Sequence, residues 1–374
     1  MERMDSANRL LRDGAIYIIV CCCFLFTKAA VAALWISEKE HGDIVYLLQQ
    51  SPNVIKRYSL PDQQFLSDVT LSEVANTFAI DDSGLYVAFA NRIDRLDLDG
   101  QNQTTLYTAN PAAVIGNLLL IDNYLVAFGD GGAGLSLNKN TGEYISNGSG
   151  IGGSCYYSNS ASISTTQRRA FVLTSCTTPS SLNFVDIASD GQLGTIASAE
   201  NINGSGTSRS FVFPNGDRVL LSNGNVMLTK DAVYQRNIGQ VAASAEFWQD
   251  KIFALNGSTV TAYSNAFVYD GSHTFTVAPE YIKIYNDSLY VFYEAAGVAT
   301  VTFLPLSSFV LTDPNVPINP VGLAFEPDKI VWNPQDNVIY LLSNLYQSVF
   351  QWNIDTQNYV ENIPLPFIAN DMVF

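Results

Sequence analysis

The residue types that carry most enzymatic chemistry are scarce in this 374-residue chain, which holds two histidines, His41 and His273, and five cysteines. A Ser-His-Asp triad, a haem attachment site and a zinc site each need histidine in a defined context, and none is present. His273 sits in "DGSHTF" with no acid or thiol at ligand spacing, so a solvated histidine in a turn between outer strands is expected there. Cys21, Cys22 and Cys23 fall in an apolar N-terminal segment, leaving Cys155 and Cys176 as an even pair. In an oxidising compartment such a pair is expected to form one disulfide across two neighbouring strands. A metal pair is the lesser reading, because no third or fourth soft ligand lies nearby.

Acidic and amide side chains offer the remaining candidates. "DLDGQNQ" supplies Asp97, Asp99 and Asn102 in the manner of the start of a calcium loop, but lacks the glutamate that completes one. A turn between two strands is the better expectation, so no cofactor is expected and calcium is only a weak candidate. "GDGGAG" at 129–134 opens no helix and carries no Lys-Ser/Thr, so it is not a phosphate loop. Asn76, Asn117 and Asn370 recur at one position of the runs "SEVANTFAID", "AVIGNLLLID" and "PFIANDMVF". Such channel-proximal amides could take a cation or a sugar; the expectation is that they hydrogen-bond neighbouring backbone and hold repeats in register.

These residues must be positioned by strands. Runs beginning "DIVYLL" at 43, "GLYVAF" at 84, "NYLVAF" at 123, "RAFVLT" at 169, "DRVLLS" at 217, "DKIFAL" at 250, "SLYVFY" at 288 and "NVIYLL" at 337 start 33 to 49 residues apart. That spacing marks propellers and similar arrays. Each run follows a turn rich in Asp, Asn, Pro or Gly and precedes further strand-like segments, giving four antiparallel strands per unit. The fold expected is all-β, one β-propeller domain over 41–374 with eight four-stranded blades. Seven is the alternative, because 148–240 is Ser/Gly-rich and its units align worst. The first unit begins at "DIVYLL", a second strand without a first, while "PFIANDMVF" ends the chain as a first strand without a second. Pairing of the two is expected to close the ring and remove its exposed edges.

The stretches "DDSGLYVAFANRIDRLDLDG" and "WNPQDNVIYLLSNLYQSVFQWNIDT" resemble repeats of the bacterial YVTN and NHL-like β-propeller superfamily. The resemblance covers nearly all of 41–374 and implies a fold, since these motifs serve proteins of unrelated activity. "LSLNKNTGEYI" at 135–145 resembles the blade motif of eight-bladed quinoproteins, with Tyr144 near the place of the docking tryptophan.

Charge and leader bound the function. Arg9 and Arg12, an apolar run from Ala15 to Phe26 and the small residues Ala30-Val31-Ala32 make residues 1–32 a signal peptide, or a membrane anchor if uncleaved. Either way the rest is exported, to a periplasmic, cell-surface or extracellular location, and touches the membrane only through that segment. Beyond it remain 15 basic and 32 acidic residues, which excludes nucleic acid as a partner. The expected function is a non-catalytic binding or scaffold module for a protein or glycan. The alternative is a propeller enzyme, a cation-dependent lactonase or lyase or a quinone-dependent dehydrogenase, with its site at the central channel. Loops after the second strands, with Asn91, Asp130, Glu294, Asn344 and Tyr346, are the candidate ligand-binding face.

Overall fold

The computed structural model describes the chain from Trp35 to Val373, apart from residues 110–113, 130–133, 151–155, 175–180, 200–206, 250, 265–266, 268, 310–326, 345–347, 357, 366–368 and 370. The leader expected at 1–32 lies outside the described residues, as do Cys155, Cys176, Asp130, Tyr346 and Asn370. Among the described residues no helix is long and apolar enough to cross a membrane. Eight antiparallel sheets follow one another along the chain, each starting from a first strand and running outward in sequence order. The first strands are Ser37–His41, Thr77–Asp81, Ile115–Ile121, Ser162–Ser164, Ser210–Val212, Ser244–Trp248, Tyr281–Tyr285 and Lys329–Asn333. The second strands are Ile44–Gln50, Gly84–Ala88, Tyr124–Gly129, Arg169–Leu173, Arg218–Leu221, Lys251–Asn256, Ser288–Ala295 and Val338–Ser343. All eight repeats expected from sequence are therefore second strands. Sheet 7 has three described strands, sheets 1 and 4 have five, and the others four. The short Ser149–Gly150 strand joins sheet 4 in parallel to Thr195–Ser198.

Turn chemistry explains the hairpins. Between the first and second strands of sheet 7, Asn286 and Asp287 take φ values of 46° and 56°, the double left-handed conformation of a tight two-residue hairpin that Asn and Asp tolerate best. At Gly84 the backbone has φ 139° and a Cβ would lie 2.3 Å from the Leu96 carbonyl oxygen, so only glycine fits at the entry to that strand.

Packing follows from side-chain alternation along the second strands. Tyr46 and Leu48 pack with Phe78, Leu85 and Val87 of sheet 2. Val45 and Leu47, pointing the other way, pack with Tyr290 and Phe292 of sheet 7. In sheet 2, Tyr86 and Ala88 turn toward Leu118 and Leu125 of sheet 3. The same two-sided burial joins sheets 3 and 4, 4 and 5, 5 and 6, and 6 and 7. Seven hydrophobic clusters thus link sheets 1 to 7 in a cycle, the last returning from sheet 7 to sheet 1. That last cluster is aromatic: Tyr58 meets Phe292 edge-on with centroids 5.5 Å apart. Among the described residues sheet 8 contributes to none of the seven.

Two expectations are corrected. The first unit does not lack its first strand: Ser37–His41 pairs with Ile44–Leu48, Glu38 opposite Leu47 and Lys39 opposite Tyr46. The place expected for the C-terminal run beside Ile44–Gln50 is taken, because that strand has a partner on each edge, Ser37–His41 and Asn53–Ser59, while 366–368, 370 and 374 lie outside the described residues. The described C-terminal residues stay with sheet 8 and form no strand; the Ala369 amide donates to the Asn344 side-chain oxygen at 3.0 Å, and Asp371 pairs with Lys329. His273 is likewise not in a turn but in the fourth strand of sheet 6, paired with Val260 and set edge-on to Phe275 at 4.7 Å.

Phe292→Ala should cost about 3–5 kcal/mol, the usual penalty for emptying a fully buried aromatic site, whereas the more than half exposed Trp332 of sheet 8 should tolerate alanine within about 0.5 kcal/mol. Urea denaturation of both variants measures the two costs, and equal costs would contradict packing of sheet 7 on sheet 1.

Candidate functional site

First strands of neighbouring sheets run beside one another, Ser37–His41 against Thr77–Asp81 and Ser244–Trp248 against Tyr281–Tyr285. Where the first strands of sheets 1, 5, 6 and 7 converge, charged side chains interrupt otherwise small or apolar runs: "SEKEH", "RSFV", "SAEFW" and "YIKIY". The Arg209 Nη2 donates to both oxygens of Glu38, at 3.0 and 2.9 Å, joining sheet 5 to sheet 1. Glu38 is only 7% exposed, so this pair is held largely away from water. Lys283 bridges Glu40 at 2.5 Å and Glu246 at 3.1 Å, and the Tyr281 hydroxyl donates to Glu40 at 2.5 Å. The Ile284 amide also donates to Glu246, at 3.4 Å.

Burial sets the electrostatics of this network. Desolvation, reinforced by the Glu40 charge and only partly offset by Lys283, raises the Glu246 carboxyl from 4.5 to about 8. Burial and then Glu40 push Tyr281 well above the ordinary phenol range. Glu38 raises Arg209 despite the burial that works against its charge. Lys39 differs: burial lowers it, Glu38 opposes that only in part, and Arg209 lowers it further.

A cavity of about 180 Å³ opens among these strands, lined in part by Ser37, Lys39, Asn159, Arg209, Phe211 and Tyr281. The network needs four separated segments, so no local motif marks it. One signal does exist. Lys39, Glu246 and Lys283 lie opposite the aromatic residue of the aligned second strand, Tyr46, Phe253 and Tyr290 respectively. Counting back from these three strands therefore leads to a charged first-strand position, which sequence reasoning missed in sheet 1 by starting the first unit at "DIVYLL".

The residues singled out from sequence lie elsewhere. Asn117 is buried; its amide donates to the Tyr157 carbonyl at 2.9 Å and its oxygen accepts from the Ser160 and Ala161 amides, tying sheet 3 to the entry of sheet 4. Asn76 donates to the Phe89 carbonyl at 3.1 Å within its own sheet. Of the loop residues, the Asn91 carbonyl accepts from Ala109, Glu294 accepts from the Gly297 amide, and the Asn344 amide donates to Asp328. Among the described residues no hydrogen bond or ion pair joins Asn91, Glu294 and Asn344 to one another. In "DLDGQNQ" the Asp97 carboxylate accepts from the Asn102 amide at 2.6 Å and the Asp97 carbonyl from Gly100, the bonding of a turn. Among the described residues no group of three or more His, Cys, Asp or Glu is arranged to hold a metal.

No protein-family model matches this chain, and no curated protein matches it by sequence. Solved structures do match in fold. Dihydro-heme d1 dehydrogenase NirN, in complex with DHE, aligns at TM-score 0.56 and 8% identity over 88% of this chain and 75% of that one. A chain of a mitotic checkpoint complex aligns at TM-score 0.55 and 12% identity, covering 70% and 83%. The WD40 β-propeller domain of Doa1 aligns at TM-score 0.54 and 10% identity, covering 73% and 93%. Eight consecutive antiparallel sheets and these neighbours define the chain as a β-propeller protein, at identities that carry the fold alone.

The raised Glu246 group has a stability consequence with a definite sign. Between pH 4.5 and about 8 the folded chain holds a proton that the unfolded chain releases, so this group's contribution to stability falls as pH rises through that window. Glu246→Gln keeps an acceptor for Lys283 and Ile284 but cannot titrate. Its melting temperature should decline less than that of the wild type between pH 5 and pH 8.5, by differential scanning fluorimetry; parallel declines would show that Glu246 is not the group responsible.

Proposed function

We propose that this chain is an exported, non-catalytic binding module: a propeller of seven blades, sheets 1 to 7, with sheet 8 outside the ring as a docking surface for a protein partner. Sheet 8 is the observation that carries it. Ile330 and Trp332, on one face of its first strand, are 60% and 58% exposed, and Val360 on the opposite edge strand is 58% exposed. Exposed tryptophan and aliphatic side chains grouped on one sheet mark a protein-interaction surface better than a glycan site, and tryptophan is enriched among residues that dominate binding energy. WD40 neighbours of the same fold are consistent with a protein partner.

Saturation of the channel carboxylates supports the non-catalytic part. Glu38, Glu40 and Glu246 each have internal partners in Arg209, Tyr281 and Lys283, as a charge network that fixes strands would require. An enzyme acting at the channel, cation-dependent or quinone-dependent, is the second reading, favoured by the raised Glu246 beside Lys283, since perturbed groups gather at active sites.

Export and a Cys155–Cys176 disulfide belong to the same proposal. The antiparallel bridge of Tyr156 with Thr174 falls one residue after Cys155 and two before Cys176 in the sequence, which supports a link between them. Protein secreted from its own host should show neither thiol to an alkylating reagent under denaturing, non-reducing conditions, by intact mass; two alkylated cysteines would refute the disulfide.

A photo-crosslinking residue placed at Trp332 in the producing cells should yield one discrete protein adduct. The same residue at Val298 of sheet 7, 63% exposed, should yield none. No adduct at 332, or equal adducts at both sites, would overturn the docking surface.

A further inference from the structure

The channel cavity holds three polar groups that the protein leaves unused. The Ser37 side chain is 1% exposed and its Oγ has no hydrogen-bond partner. The Asn159 Oδ1 is also buried without a partner, although the Asn159 amide nitrogen donates to the Asn76 carbonyl at 3.2 Å. Lys39 makes no hydrogen bond or ion pair among the described residues, since the carboxylates around it are engaged with Arg209, Tyr281 and Lys283. All three line the same cavity, whose remaining wall includes Glu38 and Glu246, already engaged by Arg209 and Lys283, and the apolar Ala161, Phe211 and Ala245.

Buried polar groups are almost always paired, and an ammonium whose desolvation outweighs the charge of its neighbour Glu38 is costly to leave without a hydrogen bond. A cation would not relieve it. A carboxylate would, accepting from Lys39 in a charge-assisted bond and from the Ser37 hydroxyl. The Asn159 oxygen can only accept, so it calls for a donor on the same ligand, which a hydroxyl supplies. Aromatic and methyl groups on the remaining wall suit the carbon skeleton between the two.

We infer that this cavity binds a small hydroxylated carboxylate, with the carboxylate on Lys39 and Ser37 and a hydroxyl on Asn159. The direction in which Lys39 is shifted fits an occupant that supplies negative charge, since burial and Arg209 now weaken its protonation. The site lies among the first strands and does not depend on sheet 8 docking a protein.

Isothermal titration calorimetry of the full mature chain at pH 7 with lactate, malate and D-gluconate, and with glucose as the uncharged control, tests it. At least one of the three acids should bind and glucose should not. Lys39→Met should weaken that binding at least about tenfold, the loss of one charge-assisted hydrogen bond, and Asn159→Asp should weaken it by setting like charge against the carboxylate. Lys39→Arg, which keeps the charge, should restore part of the affinity and controls for folding. No heat with any of the three acids, or undiminished affinity in a folded Lys39→Met, would overturn the site.

Discussion

Two-sided burial of the second strands is the constraint from which the rest of the structure follows. A strand whose odd and even side chains are both apolar cannot end at solvent on either face. Val45 and Leu47 on one side, Tyr46 and Leu48 on the other, are all at most 1% exposed, and the same is true of Leu85, Tyr86, Val87 and Ala88. Each such sheet needs two neighbours, and a row of sheets satisfies all of them only when its two ends meet. Sheets 7 and 1 do meet, through Tyr290 and Phe292 packed on Tyr58, Val45 and Leu47. Packing rather than strand pairing accomplishes this, which is why the last residues of the chain are not needed in the first sheet.

Bringing seven sheets into a cycle forces their first strands together, and that crowding creates the channel cluster. Charges placed there lose much of their water, and all of them but Lys39 find a partner from another sheet. Arg209 reaches Glu38 across 171 residues of sequence, and Tyr281 reaches Glu40 across 241. Such bonds are formed only when the sheets are correctly ordered, so the network acts on arrangement more than on net stability. The shifts at Glu246, Tyr281 and Lys39 are one consequence seen three times: burial disfavours the charged form, and only the distribution of neighbouring charge decides how far.

The eight second strands were legible because they combine three independent signals: a turn rich in Asp, Asn or Gly, a run of β-branched or aromatic residues, and a near-constant spacing. First strands carry fewer. "SEKEH" has no apolar periodicity, since its charged residues face partners on other first strands, so the first unit was taken to begin at "DIVYLL" and its first strand was sought at the other end of the chain. The asparagine echo in "PFIANDMVF" was genuine as a pattern but misleading as topology, because local composition says which residues prefer an extended backbone and nothing about which edge is free. Charged residues at 39, 246 and 283 were invisible as a site for a further reason: their convergence exists only after the ring is assembled, although their common register opposite Tyr46, Phe253 and Tyr290 was written in the repeat.

Sheet 8 shows what distinguishes membership in the cycle from possession of the repeat. Its second strand, "VIYLLS", is as apolar as the others, and Leu341 and Leu342 are buried at 6% and 1% exposure. Its first strand differs. Thr77–Asp81 and Tyr281–Tyr285 present Phe78, Ile282 and Ile284 to neighbouring cores, whereas Lys329–Asn333 leaves Ile330 and Trp332 largely in solvent. Among the described residues sheet 8 therefore carries the repeat without entering the clusters that join sheets 1 to 7, whose last link is the Tyr58–Phe292 and Tyr58–Tyr290 packing. The repeat specifies a blade-like sheet, and what its first strand presents to neighbouring cores is set by residues outside the repeated run.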